Sequence, residues 1–274
     1  MKKGIVVKVA VIQMESKLNP EENLKKIRSF LEDAKAQKAQ AVFLPEVFYS
    51  ISDGTKPTPY LIENQNQHYQ EIKKLSTDFE LYILGGSAAT LVDGKVLNRS
   101  YNFDPQGHDL GFYDKINLFS CDLSKHPSQT IIDESKVYSH GSTPKMIHVG
   151  EFTLGLSICF DLRFPELFRS YSAAGANLLS ISSAFTVPTG KAHWHTLVRA
   201  RAIENQCYVV ASGQWGVHNE KLSTYGHSLI VDPWGEILAD AGEGEKIIYA
   251  ELSIDKIKSV RERLNVLRRP QPYI

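Results

Sequence analysis

The chain has 274 residues, 42% of them hydrophobic and 23% charged, which supports a large buried core and excludes a disordered chain. Lysine plus arginine equals aspartate plus glutamate at 31 each, so no net field favours nucleic acid or an anionic membrane, and a small molecule is the expected partner. No run approaches the ~20 apolar residues of a membrane span, and Cys121, Cys159 and Cys207 are odd in number, far apart and without CxxC spacing. That argues against a disulfide framework or a zinc site and fits a reducing cytoplasm.

Met1-Lys-Lys-Gly opens a charged, then apolar stretch, but Lys8 and Gln13 interrupt it and no small-residue cleavage site follows, so it reads as a first strand, Val6 to Gln13, without a signal peptide. Asn19-Pro20-Glu21-Glu22 supplies an N-cap, a first-turn proline and acids for a helix whose Leu24, Ile27, Phe30, Leu31 and Ala34 form one apolar stripe. Ala41 to Leu44 is a short buried strand ending at Pro45-Glu46, which makes the opening βαβ-like. A loop over 53–60 precedes a polar helix from about Ile62 to Phe79 and a strand from Leu81 to Leu84. Val96 to Phe103 and Leu110 to Tyr113 read as hairpin arms around Asp104-Pro-Gln-Gly107, with Lys115 just past the second arm. From Ser120 to Gly141 there is little periodicity, the mark of a functional loop.

Phe152 to Ile158 is a buried strand that delivers Cys159 to a sharp turn, and Pro165-Glu166 opens the helix that follows. Asn177 to Ile181 is another strand and Ala192 to Asn205 a helix. Tyr208 to Ala211 and His227 to Val231 are strands, Asp232-Pro-Trp-Gly235 is a turn, Lys246 to Glu251 a strand, Ile254 to Leu264 a helix, and Arg268-Arg-Pro-Gln-Pro272 an extended tail. Without a linker, repeat or low-complexity segment, residues 1–274 read as one α/β domain with two sheets at the core and helices outside.

Glu46, Lys115 and Cys159 each sit where a predicted strand runs out, and strand ends at one sheet edge converge in space. A cysteine nucleophile needs a base, which a carboxylate such as Glu46 can be. Lys115 and the Phe160 amide are candidates to hold a developing oxyanion. Taken singly, each has a plainer reading: Cys159 as a small core hydrophobe, Glu46 as a solvated acid or cap, and Lys115 as a surface lysine.

In Leu44-Pro-Glu46, Tyr113-Asp-Lys115 and Ile158-Cys159-Phe-Asp-Leu-Arg-Phe-Pro-Glu166 the order and spacing resemble the Glu-Lys-Cys triad of the nitrilase superfamily of carbon–nitrogen hydrolases, over nearly the whole chain. Ser183-Ala-Phe185, Thr189-Gly190, Ala192-His-Trp194, Arg199-Ala-Arg201-Ala-Ile-Glu204, Tyr225-Gly-His227 and Asp232-Pro-Trp-Gly235 resemble the branch containing deaminated glutathione amidase and ω-amidase. Arg163-Phe-Pro-Glu166 and Asn205-Gln-Cys207-Tyr-Val favour the former. The resemblance implies a four-layer αββα sandwich, a thioester acyl-enzyme formed from a small amide, no cofactor, and a homodimer or higher homo-oligomer stacked through outer helices, where Phe168 and Tyr171 are large enough to contribute. It points to Glu134, in Asp133-Glu-Ser-Lys136, as a second active-site glutamate, and to Phe185 and Thr186 as acyl-pocket residues. Arg163, four residues past the nucleophile, can pair bidentately with a substrate carboxylate, a role the branch supports. Asn117 departs from the pattern, since relatives usually carry histidine there. His193 and His195, two apart, fall on different faces of a helix and do not make a metal pair; they read as packing or capping residues. Rival readings are an ω-amidase or another amide, nitrile or carbamoyl hydrolase of the superfamily, and a nitrilase-fold binding module without turnover.

Overall fold

The structure, a computed structural model, describes residues 6–123, 130–220, 222–264 and 266. The first half opens as β1 (Val6–Gln13), α1 (Pro20–Ala36), β2 (Ala41–Phe43), α2 (Gln67–Phe79) and β3 (Tyr82–Leu84). Three small strands follow, β4 (Ser87–Val92), β5 (Lys95–Ser100) and β6 (Tyr113–Asp114), then the hairpin of β7 (Ser120–Leu123) and β8 (Thr130–Asp133). The second half repeats the opening pattern: β9 (Met146–Val149), β10 (Phe152–Ile158), α3 (Pro165–Ala173), β11 (Leu178–Ser183), α4 (Val187–Asn205) and β12 (Tyr208–Gly213). It closes with β13 (Trp215–Val217), β14 (Ser223–Tyr225), β15 (Leu229–Val231), β16 (Ile237–Asp240), β17 (Lys246–Ser253) and α5 (Ile254–Arg263).

One sheet runs β17-β1-β2-β3 and the other β16-β15-β12-β11-β10-β9. Within them β1, β2 and β3 are mutually parallel, as are β10, β11 and β12, while β17, β15, β16 and β9 are antiparallel additions at the edges. Strand alternation assigns the two faces of β1 to two cores. Val9 and Val11 join Phe43 and Leu84 against Leu154, Leu156 and Ile181 of the other sheet, whereas Ala10 and Ile12 join Ile27, Leu31 and Ile72 of α1 and α2. Val198 and Ala202 of α4 cover the far side of the second sheet. The layers are therefore helix, sheet, sheet, helix, the αββα sandwich the resemblance implied.

Local signals account for most element ends. Asn19 Oδ1 accepts from the Glu21 amide at 3.0 Å and caps α1. In α1 the stripe narrows to Ile27, Leu31 and Ala34, with Leu24 and Phe30 only half-buried. α2 begins at Gln67 rather than near Ile62, because Asn66 caps it through the Tyr69 amide and Ile62 bridges to Thr90 instead. α4 begins at Val187, five residues before the expected start, with Pro188 in its first turn. The main partner of β5 is β4 across an Asp93-Gly94 turn, and Tyr113–Asp114 adds only a short third strand. The Asp104–Gly107 turn does form, closed by the Gly107 amide on the Asp104 carbonyl at 2.9 Å. The expected functional loop over 120–141 contains the β7–β8 hairpin and a 3-10 turn at Glu134–Lys136. The Arg268–Pro272 tail lies outside the described residues.

Phe168 and Tyr171 do not face outward. They are 0% and 2% exposed, and the Tyr171 hydroxyl donates to the Leu156 carbonyl at 2.7 Å, so α3 points them into its own core. Gly155 makes room for that: a Cβ there would lie 2.7 Å from the Tyr171 ring. Among the described residues no helix is long and apolar enough to cross a membrane.

Candidate active site

The three expected residues meet, though from three sheets and not from one edge. Glu46 follows β2 of the four-stranded sheet, Lys115 follows β6 of the small sheet, and Cys159 follows β10 of the six-stranded sheet. Because β2 and β10 are inner parallel strands, their carboxyl ends open at one end of the sandwich. Lys115 is held there by its backbone: its amide donates to the Asn98 carbonyl at 2.9 Å, and its carbonyl accepts from Gly141 at 2.8 Å. Only glycine allows the second contact, since a Cβ at 141 would sit 2.2 Å from the Asp114 carbonyl oxygen.

The Lys115 ammonium is fully buried between two carboxylates, 2.8 Å from Glu46 Oε1 and 2.7 Å from Glu134 Oε2. Glu46 is pinned further by Asn98 Nδ2 on Oε1 at 2.8 Å and by the Ala184 amide on Oε2 at 2.7 Å. Glu134 is fixed by the Phe119 amide on Oε2 at 2.7 Å, and its own amide returns a bond to the Phe119 carbonyl. Burial alone would lower the pKa of the lysine, but Glu134 and Glu46 outweigh it and hold Lys115 well above its ordinary value. Burial raises the Glu134 carboxyl, with Lys115 opposing. Burial, reinforced by the negative charge of Glu46, pushes the Cys159 thiol well above the ordinary range, against the pull of Lys115. These surroundings disfavour the thiolate form of Cys159.

Cys159 is 6% exposed and takes a left-handed φ of 51°, at the first residue of the 3-10 turn Cys159–Arg163. Val47, immediately after Glu46, has φ 47°, a real outlier for a β-branched residue. Two strained residues, one beside Glu46 and one at Cys159 itself, mark this end of the sandwich as over-determined by its surroundings. Asp161 is part of that constraint. Fully buried, it accepts from the Tyr113 hydroxyl at 2.7 Å and the Ile158 amide at 2.9 Å on Oδ2, and from Asn117 N and Nδ2 at 2.9 Å each on Oδ1. It thus ties the loop bearing Lys115 to the turn bearing Cys159, and Asn117 supplies two of the four bonds.

A cavity of about 670 Å³ empty volume reaches Cys159, Glu46, Glu134, Asn98, Tyr138 and Ser52, and a narrower one beside it is lined by Cys159, Phe160, Arg163, Phe185, Thr186 and Thr189. Every expected site residue except fully buried Lys115 lines one or both. Phe185 and Thr186 lie just past β11, which ends at Ser183. The Arg163 guanidinium stands 5.7 Å from the Phe160 ring and 5.5 Å from that of Phe185, and donates to His193 Nδ1 at 3.2 Å. His193 is therefore neither a cap nor a packing residue, and it does not meet His195, which bonds Asp240. Cys207 lies away from the cavity, its thiol donating to the Ala176 and Asn205 carbonyls, and Cys121 is on β7. Sequence reasoning missed Asn98, Asp161, Tyr138 and Ala184, none of which has a role that its local sequence reveals.

The carbon–nitrogen hydrolase family model matches residues 8–262. The chain is similar to the deaminated glutathione amidase of Synechocystis, 38% identical over 263 residues that cover 94% of this chain and 96% of that one. It is similar to the omega-amidase NIT2 of Homo sapiens at 34% identity, covering 95% and 94%. Among solved structures, Nit3 of Saccharomyces cerevisiae aligns with TM-score 0.86 and 31% identity over 98% of this chain and 97% of that one. NitFhit of C. elegans aligns with TM-score 0.88 and 33% identity over 99% of this chain, which spans 66% of that longer protein. The chain belongs to the carbon–nitrogen hydrolase family of the nitrilase superfamily and is a hydrolase of carbon–nitrogen bonds.

Proposed function

We propose that the protein is a cysteine-dependent amidase acting on a small, carboxylate-bearing amide, with deaminated glutathione as the favoured substrate. The observation that carries this reading is the buried Glu46–Lys115–Glu134 cluster opening on the same cavity as the strained Cys159. Glu46 takes the Cys159 proton as sulfur attacks the amide carbon. Lys115 and the Phe160 amide hold the oxyanion. Glu46 then gives its proton to the departing nitrogen, the carbon–nitrogen bond breaks, and ammonia or an amine leaves a thioester. Water, deprotonated by Glu46, attacks the thioester, and the carbon–sulfur bond breaks to release the acid and restore the thiol. Glu134 holds Lys115 in place and acts as a positioning residue.

Arg163 supports the acidic substrate class: its guanidinium lies between two aromatic rings beside Cys159 and makes no ion pair among the described residues. The 34% identity to an omega-amidase keeps that substrate class as the second reading. We take the chain as one hydrolase unit that works in the cytoplasm as a homo-oligomer, in keeping with three free cysteines and with an exposed apolar group of Ile203, Trp234, Ile237 and Leu238 beside α4. The test is ammonia release across a panel of ω-amides, deaminated glutathione and nitriles, with intact-mass detection of an acyl adduct on Cys159. Binding without adduct or turnover would replace the amidase by a binding module.

A further inference from the structure

Next to Trp194, whose ring packs on that of Phe185, three elements bring together side chains that the hydrolytic reaction does not use. His195 comes from α4, His227 from the segment between β14 and β15, and Asp240 from the end of β16. Their ligand atoms all lie within 4.8 Å of one another. His195 Nε2 is 3.0 Å from Asp240 Oδ2, and His227 Nδ1 is 3.1 Å from Oδ1. Four ligands at ~2.0–2.1 Å around a tetrahedral ion stand about 3.3 Å from each other. Small side-chain adjustments would bring the three to that spacing. The side chains are 23–33% exposed, so an ion can enter and a water can take the remaining position.

Neighbouring backbone and ring contacts fix the positions of Asp240 and His227. The Gly242 amide donates to Asp240 Oδ1 at 2.7 Å, and the His227 amide donates to the Gly242 carbonyl at 3.0 Å. Trp194 Nε1 donates to the His227 carbonyl at 2.6 Å, and the Tyr225 ring stacks on the imidazole of His227 at 4.4 Å between centroids. A lone carboxylate needs only one imidazole as a hydrogen-bond partner. Here two, 32 residues apart in sequence, converge on one.

We propose that His195, His227 and Asp240 form a binding site for a divalent transition metal of the zinc class, separate from the catalytic cluster. Two imidazoles and one carboxylate suit Zn²⁺, Co²⁺, Ni²⁺ or Cu²⁺ and do not suit Mg²⁺ or Ca²⁺. The ion clamps α4 to the β15–β16 hairpin, and because Trp194 packs on Phe185 at 4.9 Å, it also braces one wall of the narrower cavity.

The test is a titration of the tag-free, full-length protein with Zn²⁺ and with Co²⁺. One equivalent of Zn²⁺ should bind, raising the thermal midpoint by ~5 °C at a hundredfold excess over its dissociation constant and reversed by chelation. Bound Co²⁺ should show visible d–d bands without a thiolate charge-transfer band, a readout on the wild type that does not depend on any variant folding. His195→Gln and Asp240→Asn should each weaken binding more than ~10-fold, and Cys159→Ala should leave it unchanged. No saturable binding, a thiolate band that vanishes in Cys159→Ala, or wild-type affinity in folded His195→Gln and Asp240→Asn would overturn the proposal.

Discussion

Replacing Lys115 by methionine tests whether the buried cluster is held by charge or by packing. Methionine keeps an unbranched, polarizable side chain of similar length, so most of the volume is retained and only the ammonium is lost. Glu46 is 2% exposed and Glu134 part-buried, and both would then lack their shared cation. Breaking a buried pair by removing one partner costs about 3–5 kcal/mol, or roughly 6–20 °C in melting temperature for a chain of this size. The sign with pH follows from Glu134, whose carboxyl burial already raises above the ordinary glutamate value while Lys115 opposes the shift. Without Lys115 that folded-state value rises further. The stabilisation linked to the protonated form is then complete below ~4.5 and is lost as pH climbs through the raised folded value. The deficit relative to wild type should thus be small near pH 4.5 and full by pH 8. Urea unfolding of both proteins at four or five pH values in that interval measures it. A deficit below ~1 kcal/mol throughout, or one of constant size, would show that Lys115 acts through packing and would undo the electrostatic account. Turnover of Lys115→Met should fall at least ~10²-fold at every pH.

Cys159→Ala should abolish turnover in a folded protein, whereas Cys121→Ala and Cys207→Ala should keep it; residual activity above about a tenth in the first would dismiss Cys159 as nucleophile. Arg163→Ala should raise KM for a carboxylate-bearing amide by tenfold or more, about 1.4–3 kcal/mol, and spare its neutral isostere; equal losses on both would leave Arg163 a purely structural role. Asp161→Asn places an amide NH₂ against donors and should cost at least about 2 kcal/mol of stability together with kcat, so unchanged urea midpoints would contradict its tie between the Lys115 and Cys159 loops. If the protein is the homo-oligomer proposed above, introducing glutamate at both Ile203 and Trp234 should convert it to monomers by sedimentation, and an unaltered oligomer would move the interface elsewhere.

Glu46, Lys115 and Cys159 were legible because each ends a patterned strand, and strand ends are set by local sequence. Their convergence from three sheets was not, since sheet membership depends on register between segments far apart in the chain. Asp161 and Asn98 have no local signal: what they do appears only once the Tyr113 loop and the β5 strand are laid beside Cys159 and Glu46. Glu134 was visible only through family resemblance, because the segment carrying it has little periodicity of its own. β4 escaped notice since Ser87-Ala-Ala-Thr90 reads as small and polar rather than β-branched, although these residues are buried in the fold. Phe168 and Tyr171 show the opposite error, where bulk suggested an interface and the glycine at 155 had already made space for Tyr171 within the core.

The charges around Cys159 have a consequence for the protein's durability. Peroxide and most electrophiles consume thiolates, and oxidation beyond the sulfenic acid is irreversible for an enzyme without a rescuing partner. With two carboxylates and one ammonium around it, Cys159 has an excess of negative charge nearby, which suppresses ionisation while the cavity is empty. The enzyme should therefore survive hydrogen peroxide and iodoacetamide at neutral pH far longer than a cysteine hydrolase that stores its nucleophile as an ion pair. In the mechanism proposed above the arriving acyl group switches reactivity on, so a slow electrophile shaped like the substrate should label this cysteine where a faster, unshaped one fails.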